Sequence, residues 1–120
     1  MKTKTLVVGA SEKKSRYSNQ AIKALKQKDH DVVAIGKQKG LVEGIDIQTE
    51  ISTEEDIDTV TLYINPKIQK TYEDFLIDLA PRRVIFNPGT ENPELKNKLK
   101  GKNIETLHAC TLILLGTNQY

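Results

Sequence analysis

An apolar run of β-forming residues, Thr5-Leu6-Val7-Val8, stops abruptly at Gly9-Ala10-Ser11, and this junction constrains the fold more than any other stretch. A strand buried on both faces reads as such a run rather than as an alternation, and it belongs in a parallel sheet. Small residues after it let a phosphate approach the backbone and the start of the next helix. The stretch therefore predicts a phosphate-binding turn that follows a central strand.

The following residues supply the alternation that a parallel sheet needs. A polar loop over Ser11 to Tyr17 leads to Ser18, an N-cap for a helix over Asn19 to Lys28, with Ala21, Ile22 and Leu25 on its sheet-facing side. Asp31 to Ile35 reads as the second strand, ending in the basic loop Gly36-Lys37-Gln38-Lys39-Gly40. Leu41 to Ile47 has no helical period and predicts an irregular connection with room for a short extra strand. Asp58 to Ile64 is the third major strand, rich in β-formers. Asn65-Pro66 then caps and starts a helix whose apolar residues Ile68, Tyr72, Phe75, Leu76 and Leu79 recur at helical spacing. Arg83 to Phe86 is a strand, Asn92-Pro93 repeats the capping signal for a helix ending at Gly101, and Asn103 to Leu107 is the last strand. Ala109 to Leu115 is too short an apolar run for its period to choose helix or strand. The reading is an α/β, Rossmann-like, doubly wound single domain over residues 1–120, with a mainly parallel sheet of about five strands.

Composition narrows the function classes. The chain has 120 residues, enough for one hydrophobic core. A net charge of +2 with dispersed lysines does not suggest a nucleic-acid surface. No run approaches the roughly 18 apolar residues of a membrane span, and the short apolar start is no signal-peptide core, so a cytoplasmic protein is expected. Cys110 is the only cysteine, which excludes an internal disulfide and a cysteine-rich metal site.

In open parallel sheets ligands bind outside the carboxyl ends of the strands. Here those ends are Gly9-Ala10-Ser11, Gly36-Lys37, Ile64-Asn65-Pro66, Asn87-Pro88-Gly89 and Leu107 to Cys110. A dinucleotide fingerprint would need three spaced glycines after strand 1 and an acidic residue at the end of strand 2. Gly9 stands alone and strand 2 ends in Gly36-Lys37, where a cation favours a phosphorylated ribose over free hydroxyls. Plain NAD is disfavoured, while coenzyme A or NADP fits.

These residues resemble a known family, the small bacterial CoA-binding domain proteins similar to the N-terminal domain of the succinyl-CoA synthetase alpha subunit. The resemblance rests on Val8-Gly9-Ala10-Ser11, Ser15-Arg16-Tyr17-Ser18, Val33 to Lys39, Gly44, the Pro88-Gly89 turn and the late Cys110. It implies that Gly9, Ala10 and Ser11 approach the CoA phosphates, with Ser15 and Arg16 adding donors. Gly36 and Lys37 would lie near the phosphorylated ribose, and Ile64, Asn65, Pro66, Pro88 and Gly89 would border the adenine or pantetheine path. This chain has Gly36-Lys37 where relatives commonly have Asn-Pro, and Ile85-Phe86-Asn87-Pro88-Gly89 where they commonly have a Trp-x-Gln-x-Gly segment.

Simpler roles compete with each assignment. Asn65-Pro66 and Asn92-Pro93 are accounted for by capping, Cys110 by burial, and His30 by a solvent-exposed turn. His108 has no serine or carboxylate that the sequence places beside it, so no catalytic residue is assigned. The sequence thus predicts a CoA or acyl-CoA binding module, as carrier, sensor or regulator, with coenzyme A as its ligand. The alternatives are an NADP-type or CoA-ligase-related enzyme component needing a partner, or a degenerate domain used for protein interaction. The apolar tail Leu112 to Leu115 suits a core edge or a homodimer contact equally.

Overall fold

The computed structural model describes residues 3–120. Strand β1 (Lys4–Ala10) is followed by helix α1 (Tyr17–Gln27), strand β2 (Asp31–Gly36), and strands β3 (Gly40–Val42) and β4 (Ile45–Gln48). Strand β5 (Thr59–Leu62) leads into α2 (Pro66–Gln69), a 3-10 turn at Lys70–Tyr72 and α3 (Glu73–Leu79). Then come β6 (Arg83–Phe86), α4 (Pro93–Lys100), β7 (Glu105–His108) and α5 (Thr111–Gly116).

Among the described residues the strands form one seven-stranded sheet in the order β3-β4-β2-β1-β5-β6-β7. All pairings are parallel except β3 with β4. The α/β reading is correct, but about five strands was too few. The segment read as an irregular connection with room for a short extra strand holds two, paired as a hairpin: Glu43 and Gly44 adopt positive φ, the turn signature that lets β3 fold back on β4. Its strands are too short and too mixed in character to stand out as apolar runs.

Alternate residues along β1 feed two cores. Leu6 and Val8 pack with Val60, Leu62, Leu76, Val84, Phe86, Leu95 and Leu99 on the face covered by α3 and α4. Val7 packs with Ile22, Leu25, Ala34, Val42, Ile47 and Leu115 on the face covered by α1 and α5. The period of two along a strand thus sends one apolar run to both sides of the sheet. No helix among the described residues is long and apolar enough to cross a membrane.

Several local expectations change. The first helix begins at Tyr17, its N-cap being Arg16, and Ser18 lies buried within its first turn. A turn in which the Arg16 N–H donates to the Lys13 carbonyl starts the helix earlier than the serine would. The helix expected from Asn65 onward does start there, with Asn65 Oδ1 accepting from the Ile68 N–H at 2.9 Å, yet it breaks into α2, the 3-10 turn and α3. Here Gln69 faces the interior in place of Ile68: it is fully buried and donates to the Ile64 and Thr90 carbonyls at 2.8 Å each, while Ile68 is 45% exposed. The ambiguous run after β7 is helical, and His30 is half-buried, 3.1 Å from Thr3 Oγ1 and edge-on to Tyr120. Strand ends also move: the third major strand is Thr59–Leu62 and the last one Glu105–His108.

A buried polar network ties the carboxyl ends of β5 and β6 to α5. Asn87 Nδ2 donates to Thr61 Oγ1 at 2.6 Å and to the Leu62 carbonyl at 2.9 Å, while its Oδ1 accepts from the Thr111 N–H at 2.9 Å. Removing that amide strands buried groups whose individual desolvation costs are about 1–3 kcal/mol. Asn87→Ala should therefore lose about 2–4 kcal/mol in urea unfolding, with Thr111→Ser losing less, because serine keeps the N–H donated to Asn87 and the hydroxyl bonded to Thr61 Oγ1 and gives up only a buried methyl group.

Candidate functional site

The chain runs from β1 to β2 on one side, makes the β3–β4 hairpin, and then crosses to β5 on the other side of β1. This reversal makes the carboxyl end of β1 a topological switch point, the place where loops part and leave a crevice. Gly9 sits there at φ +96°, and the β1–β2 register shifts between Val8 and Ala10. A bulge with glycine in this conformation bends the strand end, so that Ala10 is carried into register with Gly36 and the chain leaves the sheet at Ser11. A Cβ on Gly9 would also lie 3.1 Å from the Tyr63 backbone and 3.0 Å from Ile64 Cγ2.

Gly36 carries the matching constraint on the other side. A Cβ there would fall 2.4 Å from the Ala10 carbonyl oxygen and 2.8 Å from Ile47 Cγ2. Its role is thus to bring β2 close beneath the bulge, and the two strand ends form the floor of one cleft.

That cleft has a volume of about 420 Å³ and is lined by Gly9, Ala10 and Ser11 from one turn and Lys37, Gln38 and Lys39 from another. Lys13, Arg16 and Glu12 form its wall, with Ile47 of β4 as an apolar patch. Four cations therefore face one carboxylate, and among the described residues none of the four is held in an ion pair. The turn itself is braced from within. Ser11 Oγ accepts from the Lys13 N–H at 3.1 Å, and the buried Asn19 donates from Nδ2 to the Ser11 carbonyl at 2.9 Å. Helix α1 has no side-chain cap and no acidic residue in its first turn, so its N-terminal amides keep their partial positive charge beside the cleft. The arrangement can hold an anion on backbone amides and flexible cations.

Of the residues singled out from sequence, Gly9, Ala10, Ser11, Arg16 and Lys37 line this one cleft. Gly36 shapes its floor and Ile64 abuts Gly9. Ser15 is exposed and does not line it. Asn65 and Pro66 serve the start of α2, and Pro88 and Gly89 form an exposed turn after β6 whose Gly89 N–H donates to Glu91 Oε1. Lys13, Lys39, Gln38 and Glu12 were missed, although Lys13 and Lys39 share their strand-end loops with Arg16 and Lys37. The pKa of the Tyr63 phenol, just past β5, is pushed up to about 12 by burial. His108 lies edge-on to the Phe86 ring, and neither it nor Cys110 lines the cleft.

Comparison with known proteins adds lineage to this geometry. The sequence profile of the CoA binding domain family matches residues 3–116. No curated protein matches the chain. The crystal structure of an uncharacterized protein, 42% identical, covers 100% of this chain and 99% of that one with a TM-score of 0.96. A protein from Thermus thermophilus, at 20% identity, covers 98% of this chain and 91% of its own with a TM-score of 0.84. The fold also recurs in a dinucleotide-forming acetyl-coenzyme A synthetase of Ca. Korarchaeum cryptofilum, at 15% identity and a TM-score of 0.72, over 89% of this chain and 25% of that one.

Gly36 makes a direct test of the floor, with Gly116 at the end of α5 as the control. Gly36→Ala must push a methyl group into the Ala10 carbonyl, so it should destabilise the fold by about 1–3 kcal/mol or more in urea unfolding. Gly116→Ala, where a Cβ meets nothing within 4 Å, should leave the midpoint within about 0.5 kcal/mol of wild type.

Proposed function

The chain belongs to the CoA binding domain family, and on that premise we propose that it is a module that binds CoA or an acyl-CoA, acting as carrier, sensor or regulator without catalytic groups of its own. The observation that carries this reading is the cleft that joins the Gly9-Ala10-Ser11 turn to Lys37 and Lys39 beside the uncapped start of α1. Coenzyme A presents a pyrophosphate and a ribose phosphate, and two clusters of donors on two adjoining turns suit two anionic groups. In this reading the pyrophosphate lies over Gly9, Ala10 and Ser11, within reach of Arg16, and the ribose phosphate lies toward Lys37. Lysine serves such a phosphate as a mobile point charge. Ile64 borders the path on the β5 side, with Asn65, Pro66, Pro88 and Gly89 farther along the strand ends. The Ser15 hydroxyl would join only by a change in the loop.

A second reading is favoured by one observation, the recurrence of the fold as a quarter of the acetyl-coenzyme A synthetase chain. Under it the protein is one component of a CoA-ligase-type enzyme. Turnover of an acyl-CoA by the isolated chain, or its copurification with a larger subunit, would favour that role over the module.

Ligand binding to the folded state raises the melting temperature by mass action. At millimolar concentration CoA should raise Tm, dephospho-CoA less, and NAD least; no shift with CoA would overturn the reading. Lys37→Ala should erase the difference between CoA and dephospho-CoA. An undiminished difference in the variant would move the ribose phosphate away from Lys37.

A further inference from the structure

Glu12 is the one carboxylate among the residues that line the cleft, and among the described residues it forms no ion pair with the cations around it. Its Oε2 instead accepts a hydrogen bond of 2.9 Å from the Leu41 N–H. Leu41 belongs to β3, the outermost strand of the sheet, so this donor would otherwise face water at an open edge. The contact joins the β1–α1 loop to the far side of the β2–β3 turn, spanning the two segments that supply the cleft's donors.

The chain makes room for this span. A Cβ on Gly40 would fall 2.6 Å from Glu12 Cγ and 2.7 Å from its Cδ. Gly40 has no positive φ to explain a glycine there, so the space it leaves is taken by the Glu12 side chain. A side chain seated against one residue and bonded to the next is held at two points.

We propose that Glu12 is a positioning residue for anion binding: it ties the Ser11 to Arg16 loop to the Gly40–Leu41 edge, fixing the width of the cleft, while its charge moderates the cleft's affinity for anions. The proposal rests on the CoA reading only for the identity of the anion. Two substitutions separate the tether from the charge, because glutamine keeps an oxygen that can accept from Leu41 and alanine does not. Both remove the same charge. A third, Gly40→Ala, keeps the charge and all four cations but displaces Glu12, whose flexible end can swing away.

The test pairs amide exchange of Leu41 by NMR, which needs no ligand, with CoA titration by calorimetry at low and high salt. Leu41 exchange should rise about tenfold in Glu12→Ala and Gly40→Ala and stay near wild type in Glu12→Gln, one hydrogen bond of about 1.4 kcal/mol corresponding to that factor. Glu12→Gln should bind CoA about threefold tighter than wild type at low salt, with the gain fading as salt screens the cleft. Glu12→Ala should bind at least threefold more weakly than Glu12→Gln at every salt concentration. Equal affinities for Glu12→Ala and Glu12→Gln, or unchanged Leu41 exchange in both Glu12→Ala and Gly40→Ala, would overturn the proposal. If wild type takes up no CoA while Leu41 is released in Glu12→Ala, the tether is supported and it is the CoA reading that falls.

Discussion

The end of β1 is hemmed in by backbone on both sides, and both approaches depend on missing side chains. On one side the Tyr63 backbone comes within 3.1 Å of where a Gly9 Cβ would be, and on the other the Ala10 carbonyl lies 2.4 Å from where a Gly36 Cβ would be. The bulge at Gly9 shifts Ala10 into register with Gly36 and releases the chain from the sheet at Ser11, just where β2 and β5 flank β1. Everything proposed for the cleft depends on that geometry, because it sets where the turn's backbone faces and how near the Lys37 loop comes. A side chain at position 36 would separate the two turns before it altered any charge.

Electrostatics then acts on a surface that packing has already shaped. Lys13, Arg16, Lys37 and Lys39 are ordinary surface cations in type, but two adjoining strand-end turns gather them around one volume. Neighbouring strand ends are held by neutral groups instead. Asn87 bridges Thr61, Leu62 and Thr111, and Gln69 bridges Ile64, Thr90 and Asn92. Buried amides suit this task because each offers donors and an acceptor with no charge to desolvate. The cleft's four cations thus come from the β1–β2 side of the switch point, while buried amides brace the strand ends on the β5–β6 side.

Much of this was legible in the residues. Apolar runs marked β1, β2 and β6, since strands covered on both faces have no polar side to show, and a stretch rich in β-formers marked β5. Asn65-Pro66 and Asn92-Pro93 marked two helix starts, and in both the asparagine oxygen accepts from a first-turn amide. The β3–β4 hairpin was not legible, because its strands are only three and four residues long and expose Leu41, Asp46 and Gln48. The break in the helix after Asn65 was not legible because the apolar spacing is regular across it, and the apolar pattern also missed that Gln69, bonded to two carbonyls, faces the interior in place of Ile68.

By itself the sequence determined the alternation of strands and helices, the glycine-ended first strand and the basic end of the second. Those are local properties, set by side-chain type, backbone freedom and the periods of two and 3.6. The sequence could not determine which strand ends face each other, because that depends on strand order. Only the tertiary structure decided that β2 lies beside β1, that the hairpin extends the sheet beyond β2, and that Glu12 meets Leu41 across 29 residues of chain. The physical reason is that the cleft is made of contacts between segments far apart in sequence, and such contacts exist only once the sheet has brought them together.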